Sequence, residues 1–452
     1  MMHRPAAAPL AHALRIAALG CLIVGLAACD TPQPCQPDGS CPPNSTCVAG
    51  LCRNTLGVKV EFDATGPTTD AGCPEGLGPA ARAAPAAARF GGGVALLGGH
   101  DHIGRCDIEP VDATSDAHIF QRCGGFAVMA DVPGTRYGAM AATAADGALW
   151  VVGGRRDVAS GVSVPLGDAW RLPPTAATWQ SGATADVAGR SHGALVATTQ
   201  PPALWLYGGD IGISPNAPIA SGDLRRLPTA PDAPGAPYKA GAWSLPATQG
   251  KGPGPRRGHV MVAVDAELIV LGGRDGVGNA REDIYALDIT TLMWRTVDQL
   301  ADGPTPRFGA NAVALANGKI LLFGGEDEVW GERNDLWSFD VKPGRWTRIR
   351  AGDLGADGRI DGAIAAMPDA CAPPADVLKH SASDPERRAF AALVADSDGQ
   401  TVWLFGGQGV CGALGDLWRL DLSTYSWART RGAGPGGACP LKRTNCALLC
   451  GP

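Results

Sequence analysis

The sequence is poor in charge. Only 18% of its 452 residues are Asp, Glu, Lys or Arg, and 44 acidic side chains against 38 basic ones give a formal net charge of −6. Nucleic-acid binding needs a basic face, so that class of function is excluded. No stretch reaches the roughly 18 apolar residues of a membrane-spanning helix. A Walker A loop, a GxSxG elbow, an HExxH pair and an EF-hand loop are all absent, so no catalytic residue, metal or cofactor is expected. Room for long helices is also lacking, because Gly 63 and Pro 37 together make about 22% of the chain. What is present fits a folded protein of many short strands joined by turns. Hydrophobic residues reach 45%, and the 12 Trp outnumber both the 9 Phe and the 5 Tyr.

The N-terminus reads as an address. Arg4 and Arg15 precede an apolar run from Ile16 to Ala28, which is too short to span a bilayer and fits a signal-peptide core. It ends in Leu26-Ala27-Ala28-Cys29, which resembles the lipobox of bacterial lipoproteins. The resemblance implies a signal peptide over 1–28, lipidation of Cys29 and a tether over 29–34. The protein would then sit in the bacterial cell envelope, at the outer membrane or the periplasmic face of the inner membrane, held by its acyl chains. The rival is an ordinary secretory signal cut near Ala28.

Of 14 cysteines, Cys21 leaves with the signal and Cys29 takes the lipid. The twelve others are an even number in an exported chain and read as disulfides. Cys35, Cys41, Cys47 and Cys52 crowd a module over 35–53 that has almost no core of its own; a zinc knuckle is the competing reading there. Cys106 with Cys123 and Cys371 with Cys411 are candidate pairs. Cys73, Cys439, Cys446 and Cys450 would complete two more, the last three in a Cys-rich tail over 431–452.

A repeat runs from about 81 to 430. An apolar run ends in Gly-Gly six times, at Gly98 and Gly99, Gly153 and Gly154, Gly208 and Gly209, Gly272 and Gly273, Gly324 and Gly325, and Gly406 and Gly407. Upstream of each pair stands an arginine: Arg82, Arg136, Arg190, Arg256, Arg307 and Arg388. Downstream come a short aromatic strand and then Trp179, Trp243, Trp294, Trp346 or Trp427, with Phe126 in the corresponding place of the first unit. Each unit is expected to supply four strands. Because one such sheet cannot cover both its faces, the units must pack around an axis.

This pattern resembles the kelch repeat, and the resemblance implies an all-β fold, a six-bladed β-propeller preceded by the small disulfide-rich segment. Residues 54–80 read as a linker in which 57–64 adds one possible strand. The interval from Gly324 to Gly406 is the longest, and its insertion, 350–384, is expected to lie over one face as a loop pinned by Cys371 and Cys411.

In kelch propellers the arginine-bearing loops open onto one face. The resemblance therefore places Arg136, Arg190, Arg256, Arg307 and Arg388 around a channel mouth, where guanidinium groups suit carboxylates or sulfates; the alternative is that each pairs with a neighbouring blade's carboxylate or carbonyl and holds the ring closed. A second rim follows the Gly-Gly pairs and includes His100, Asp101, His102, Arg155, Arg156, Asp157, Asp210, Arg274, Asp275, Glu326, Asp327, Glu328 and Gln408. His192 and His259 read as packing residues. Too few tyrosines remain for the copper site of galactose oxidase-like enzymes. The expectation is a membrane-anchored, monomeric binding module for a protein or glycan partner, with Arg136, Arg190, Arg256, Arg307, Arg388, Glu326 and Asp327 as its candidate ligand face. The alternative is a carbohydrate-active isomerase or lyase resembling sialic-acid mutarotase, with Arg307 and Glu326 at its centre.

Overall fold

The computed structural model describes residues 33–34, 45–48, 51–54, 79–100, 113–120, 125–159, 162–183, 187–214, 217–230, 238–300, 302–328, 331–352, 383–409 and 412–431. The signal peptide, Cys29, the strand expected at 57–64, all four candidate disulfide cysteines, Asp101, His102, nearly all of the 350–384 insertion and the tail beyond 431 lie outside them. The chain falls into two compact units, 1–58 and 59–452. In the first, strands Gln33–Pro34, Ser45–Val48 and Leu51–Asn54 form an antiparallel sheet whose register sets Cys47 opposite Cys52.

The second unit is built of strands; no helix occurs among the described residues. Six antiparallel sheets follow one another along the chain, and in each the strands are paired in sequence order. The innermost strands are Ala86–Phe90, Met140–Thr143, Ala194–Thr199, Val260–Val264, Asn311–Ala314 and Ala392–Ala395. Each second strand is covered on both faces, as in Leu149–Val152 and Thr401–Phe405, and so reads as a continuous apolar run without alternation. At the end of that strand the Gly-Gly pair lets the backbones of adjacent sheets approach closely. A Cβ at Gly98 (φ 59°) would stand 2.5 Å from the Arg136 carbonyl oxygen.

The third sheet departs from the expected four strands. Ala194–Thr199, Pro202–Tyr207 and Leu224–Pro228 are regular, but the fourth place holds only a bridge between Arg226 and Ser244. Pro246 stands two residues past that bridge, and proline has no N–H to donate to a ladder.

Six apolar clusters fill the seams between consecutive sheets, and each holds one of the repeated aromatics. Trp179 lies between the first and second sheets, Trp243 between the second and third, Trp294 between the third and fourth, Trp346 between the fourth and fifth, and Trp427 between the fifth and sixth. Phe126 lies with Phe120, Trp403 and Phe405 between the sixth and the first.

Candidate functional site

Six residues tie the sheets together at their inner, Gly-Gly end. The amide of Gly138 donates to Ala84, His192 to Gly138, Gly258 to His192, Gly309 to Gly258, Phe390 to Gly309 and Ala84 to Phe390, over 2.7–3.0 Å. The chain of bonds returns to its starting residue. All six residues hold positive φ, between 48° and 62°. Glycine adopts that conformation readily, whereas Ala84, His192 and Phe390 carry its strain.

His192 and Phe390 belong to the third and sixth sheets, three steps apart either way round this cycle, yet their rings meet edge to face at 5.1 Å. The His192 ring lies over Gly138 and the Phe390 ring over Gly309, where a Cβ would come within 2.6 and 2.8 Å. Tyr137 and Phe308 extend the stack on either side. The centre is thus filled by aromatic side chains that glycines leave space for. Burial, then Arg155 and Arg257, lower the His192 pKa to about 3 against the opposing field of Asp210.

Placed in this frame, the repeat arginines do not line an open mouth. Arg136, Arg190, Arg256, Arg307 and Arg388 are buried, as is Arg82. Each guanidinium bonds an aspartate of its own sheet and the carbonyl of the first glycine of the pair. Arg388 donates to both carboxylate oxygens of Asp416 (2.6 and 2.7 Å) and to the Gly406 carbonyl (2.9 Å). The partners of the other five are Asp116, Asp168, Asp223, Asp283 and Asp335. Meanwhile the arginine's own carbonyl accepts from the second glycine of the preceding sheet, as Arg82 does from Gly407 at 2.9 Å. The role is structural, but the side chains brace their own sheets instead of pairing with a neighbouring one, as that alternative expected; only the main chain of each arginine reaches the preceding sheet. Burial would push the carboxyl of Asp416 up, but Arg388 and the Trp418 indole hold it below the usual carboxylate range; Arg307 and Trp337 do the same to Asp335. Asp327 is likewise buried, against Arg333 and Thr305. Arg307 spends its charge on Asp335, so it is not available to act with Glu326 in the way the isomerase alternative requires.

What remains at this end are the residues after the Gly-Gly pairs, bridged to the residues after the repeat arginines: His100 with Ala83, Arg155 with Tyr137, Asp210 with Ser191, Arg274 with Arg257, Glu326 with Phe308 and Gln408 with Ala389. Arg155 bonds Asp210 at 2.9 Å and the Gly212 carbonyl. Arg274 lies 3.7 Å from the Phe308 ring centre and 3.7 Å from Glu326. Arg257 makes no side-chain hydrogen bond or ion pair among the described residues. Burial first, with Arg274 and Arg155 beside it, lowers its pKa against the pull of Asp210 and Glu326. The sequence carried a signal for this residue: the position after the repeat arginine is Ala83, Tyr137, Ser191, Phe308 or Ala389 elsewhere, and a cation only at Arg257.

Comparison with known proteins now adds to the geometry. The KLHDC2/KLHL20/DRC7 Kelch-repeats domain matches residues 188–371. Over those residues the chain carries kelch repeats. Its kelch repeats are 26% identical over 218 residues to Host cell factor 2 of Homo sapiens, a match covering 45% of this chain and 24% of that protein. They are 32% identical over 107 residues to Acyl-CoA-binding domain-containing protein 5 of Arabidopsis thaliana, covering 24% and 16%, and 25% identical over 179 residues to an F-box/kelch-repeat protein of the same plant, covering 38% and 34%. This kelch chain thus spans about a third or less of the length of each of these relatives. The all-β sheets and their repeats are consistent with a β-propeller, and the kelch relatives suggest a protein-interaction module.

Proposed function

We propose that the chain is an exported lipoprotein whose repeats form a six-bladed kelch β-propeller that presents its Gly-Gly end to a protein partner. The observation that carries the reading is the cycle of main-chain bonds through Ala84, Gly138, His192, Gly258, Gly309 and Phe390. It supports six blades closed on themselves, with the arginines consumed in closure and the loops beyond them left for recognition. Scaffold-borne loops of this kind are where binding residues concentrate. The lipobox-like Leu26-Ala27-Ala28-Cys29 supports an anchor at Cys29 in the bacterial cell envelope, with the propeller acting as a monomer outside the cytoplasm.

Two measurements test the two halves. Mass spectrometry of the membrane fraction is expected to find acylated Cys29; a chain that stays soluble and unmodified defeats the anchor. A photocrosslinking side chain at Val277, on the proposed face, is expected to trap a protein, while one at Leu245, on the outer part of the third sheet, is not. Equal labelling from both positions, or none from Val277, defeats the binding face.

A further inference from the structure

The outer edge of the fifth and sixth sheets is basic, in a chain whose net charge is −6. Their fourth strands, Arg345–Arg350 and Ser426–Arg431, hold Arg345, Arg348, Arg350, Arg429 and Arg431 and no acidic residue. The other sheets do not share this. Phe126–Val128 of the first and Gln180–Ser181 of the second are uncharged, and the third has no regular fourth strand. Arg295 of the fourth is neutralised by both oxygens of Glu267, at 2.8 and 2.7 Å. Cations on outer strands guard a sheet against pairing with another edge, but every sheet has that need.

The two basic strands are neighbours built to one plan. Each contains Trp-x-Arg-x-Arg, as Trp346, Arg348 and Arg350 and as Trp427, Arg429 and Arg431. Each meets its third strand through the same bulge, with one extra residue between the two arginines. Arg348 and Arg429 then lie over the indoles of Trp337 and Trp418, each 5.9 Å from the ring centre. Those indoles are fixed in turn, because they donate to Asp335 and Asp416. Arg431 is held in like manner, 5.3 Å from the Phe126 ring. An aromatic face steadies a guanidinium without cancelling its charge. Arg350 binds Asp384 and reaches the Tyr425 carbonyl, which joins the two sheets at this edge.

The carboxylates nearby do not balance these arginines. Asp384 answers Arg350. Asp340 stands opposite Arg345 but already faces Lys319 at 3.9 Å. Asp421 stands opposite Ser426 and shares a face of its strand with Arg419, two residues away. Each of the two third-strand acids thus has a further cation beside it, and the pair of fourth strands keeps a positive excess.

We infer that this flank lies against an anionic bilayer, with the guanidinium groups of the two fourth strands meeting phospholipid phosphates. The planar fork of arginine matches phosphate oxygens, and several cations on one flank add their attraction to a charged surface. The inference rests on the Cys29 anchor proposed above, which would hold the repeats about 50 residues from the lipid and so raise the effective concentration of the surface. It adds an orientation: the fifth and sixth sheets face the lipid, and the Gly-Gly end stays open to a protein partner.

The test uses the full chain taken from the membrane fraction and reconstituted into vesicles of phosphatidylcholine, with or without phosphatidylglycerol. A fluorophore introduced at Ser426 or at Gln180, both exposed, reports energy transfer to an acceptor on the lipid headgroups. Transfer from Ser426 is expected to rise when phosphatidylglycerol is present and to fall again as salt is raised, while transfer from Gln180 does not rise. Changing Arg345, Arg348 and Arg429 together to Gln lowers the ratio of bound to free flank at least about tenfold. The same three changed to Lys keep most of the rise, Arg295→Gln leaves it intact, and the melting temperatures of these variants stay near that of the parent. Equal transfer with and without phosphatidylglycerol, an equal rise at Gln180, or a rise that survives the triple Gln change overturns the inference. Binding of dextran sulfate without any approach to phosphatidylglycerol assigns the flank to a polysaccharide and overturns it too. If the chain stays on the vesicles but the rise is missing, the orientation is wrong and the anchor stands. If the chain is retained on no vesicle, both fall.

Discussion

The amide of Ala84 donates to the carbonyl of Phe390 over 2.9 Å, joining the first sheet to the sixth. The same seam is closed by Arg82, whose amide donates to Leu414 and whose carbonyl accepts from Gly407. A seam made from the two ends of the repeat region is the one through which a ring of sheets would open. With Phe126, Phe120, Trp403 and Phe405 packed across it, this seam matches the others in kind. Hydrogen exchange is expected to protect the Ala84 and Gly407 amides, which both cross this seam, as strongly as those of Gly138 and Gly258. Early exchange at Ala84 and Gly407 alone would mean that the seam opens before the sheets unfold.

Truncating a repeat arginine leaves its aspartate without a counter-ion, at a cost set by how far water can reach the carboxylate. The side chain of Asp335 is 2% exposed and that of Asp416 is 11% exposed, against 39% for Asp283. Arg307→Met and Arg388→Met are therefore expected to destabilise by about 3–5 kcal/mol. Arg256→Met should cost clearly less in the same denaturant titration. An equal loss at all three sites would show that solvent access to the partner does not govern the penalty.

The inner cycle predicts opposite signs for two small changes. Gly309→Ala puts a Cβ at positive φ and within 2.8 Å of the Phe390 ring, so a loss of about 1–3 kcal/mol is expected. Ala84→Gly at φ 48° relieves strain at a site of the same backbone shape, and should be neutral or stabilise by up to about 1 kcal/mol. Urea midpoints of the two variants decide it, and a stabilising Gly309→Ala would contradict the packing described.

Acid should weaken the fold before the carboxylates begin to titrate. Burial, then Arg256, lowers the His259 pKa to about 3 against the Tyr207 backbone, close to the value for His192. Both rings are neutral when folded but take up protons in the unfolded chain below its ordinary histidine value of 6.5. The unfolded state therefore binds more protons between about pH 6.5 and 3. The histidine contribution is complete above that window and is lost through it at up to about 1.4 kcal/mol per pH unit for each ring. Asp335 and Asp416 add their own loss only lower, as pH falls below the ordinary carboxylate value of 3.8. Comparing urea midpoints at pH 7 and 5, His259→Leu is expected to show a shallower drop than the parent. An unchanged drop would mean that this ring is protonated in the folded protein.

Local signals in the sequence were strong where every unit repeats them. Gly98 and its five counterparts, the arginines and the seam-filling tryptophans recur with the fold's own period, and each has a steric or packing reason that needs no knowledge of neighbouring sheets. The choice between a ligand-facing and a structural Arg388 was not readable in the same way. It depends on Asp416, 28 residues further along, returning to the same end of its sheet. The third sheet's missing fourth strand was visible in Pro246 but hidden by the expectation of regularity. Arg257 was obscured by standing next to Arg256, which obeys the repeat.

The meeting of His192 with Phe390 has a consequence for traffic. A doughnut of sheets invites the idea of a conduit, with cargo entering at one end and leaving at the other. In the proposed propeller the His192 and Phe390 rings, meeting from the third and sixth sheets, would cork such a bore at the Gly-Gly end. A partner docked on that end would then have to depart by the way it arrived, as suits a molecule that grips and lets go over one that passes anything through.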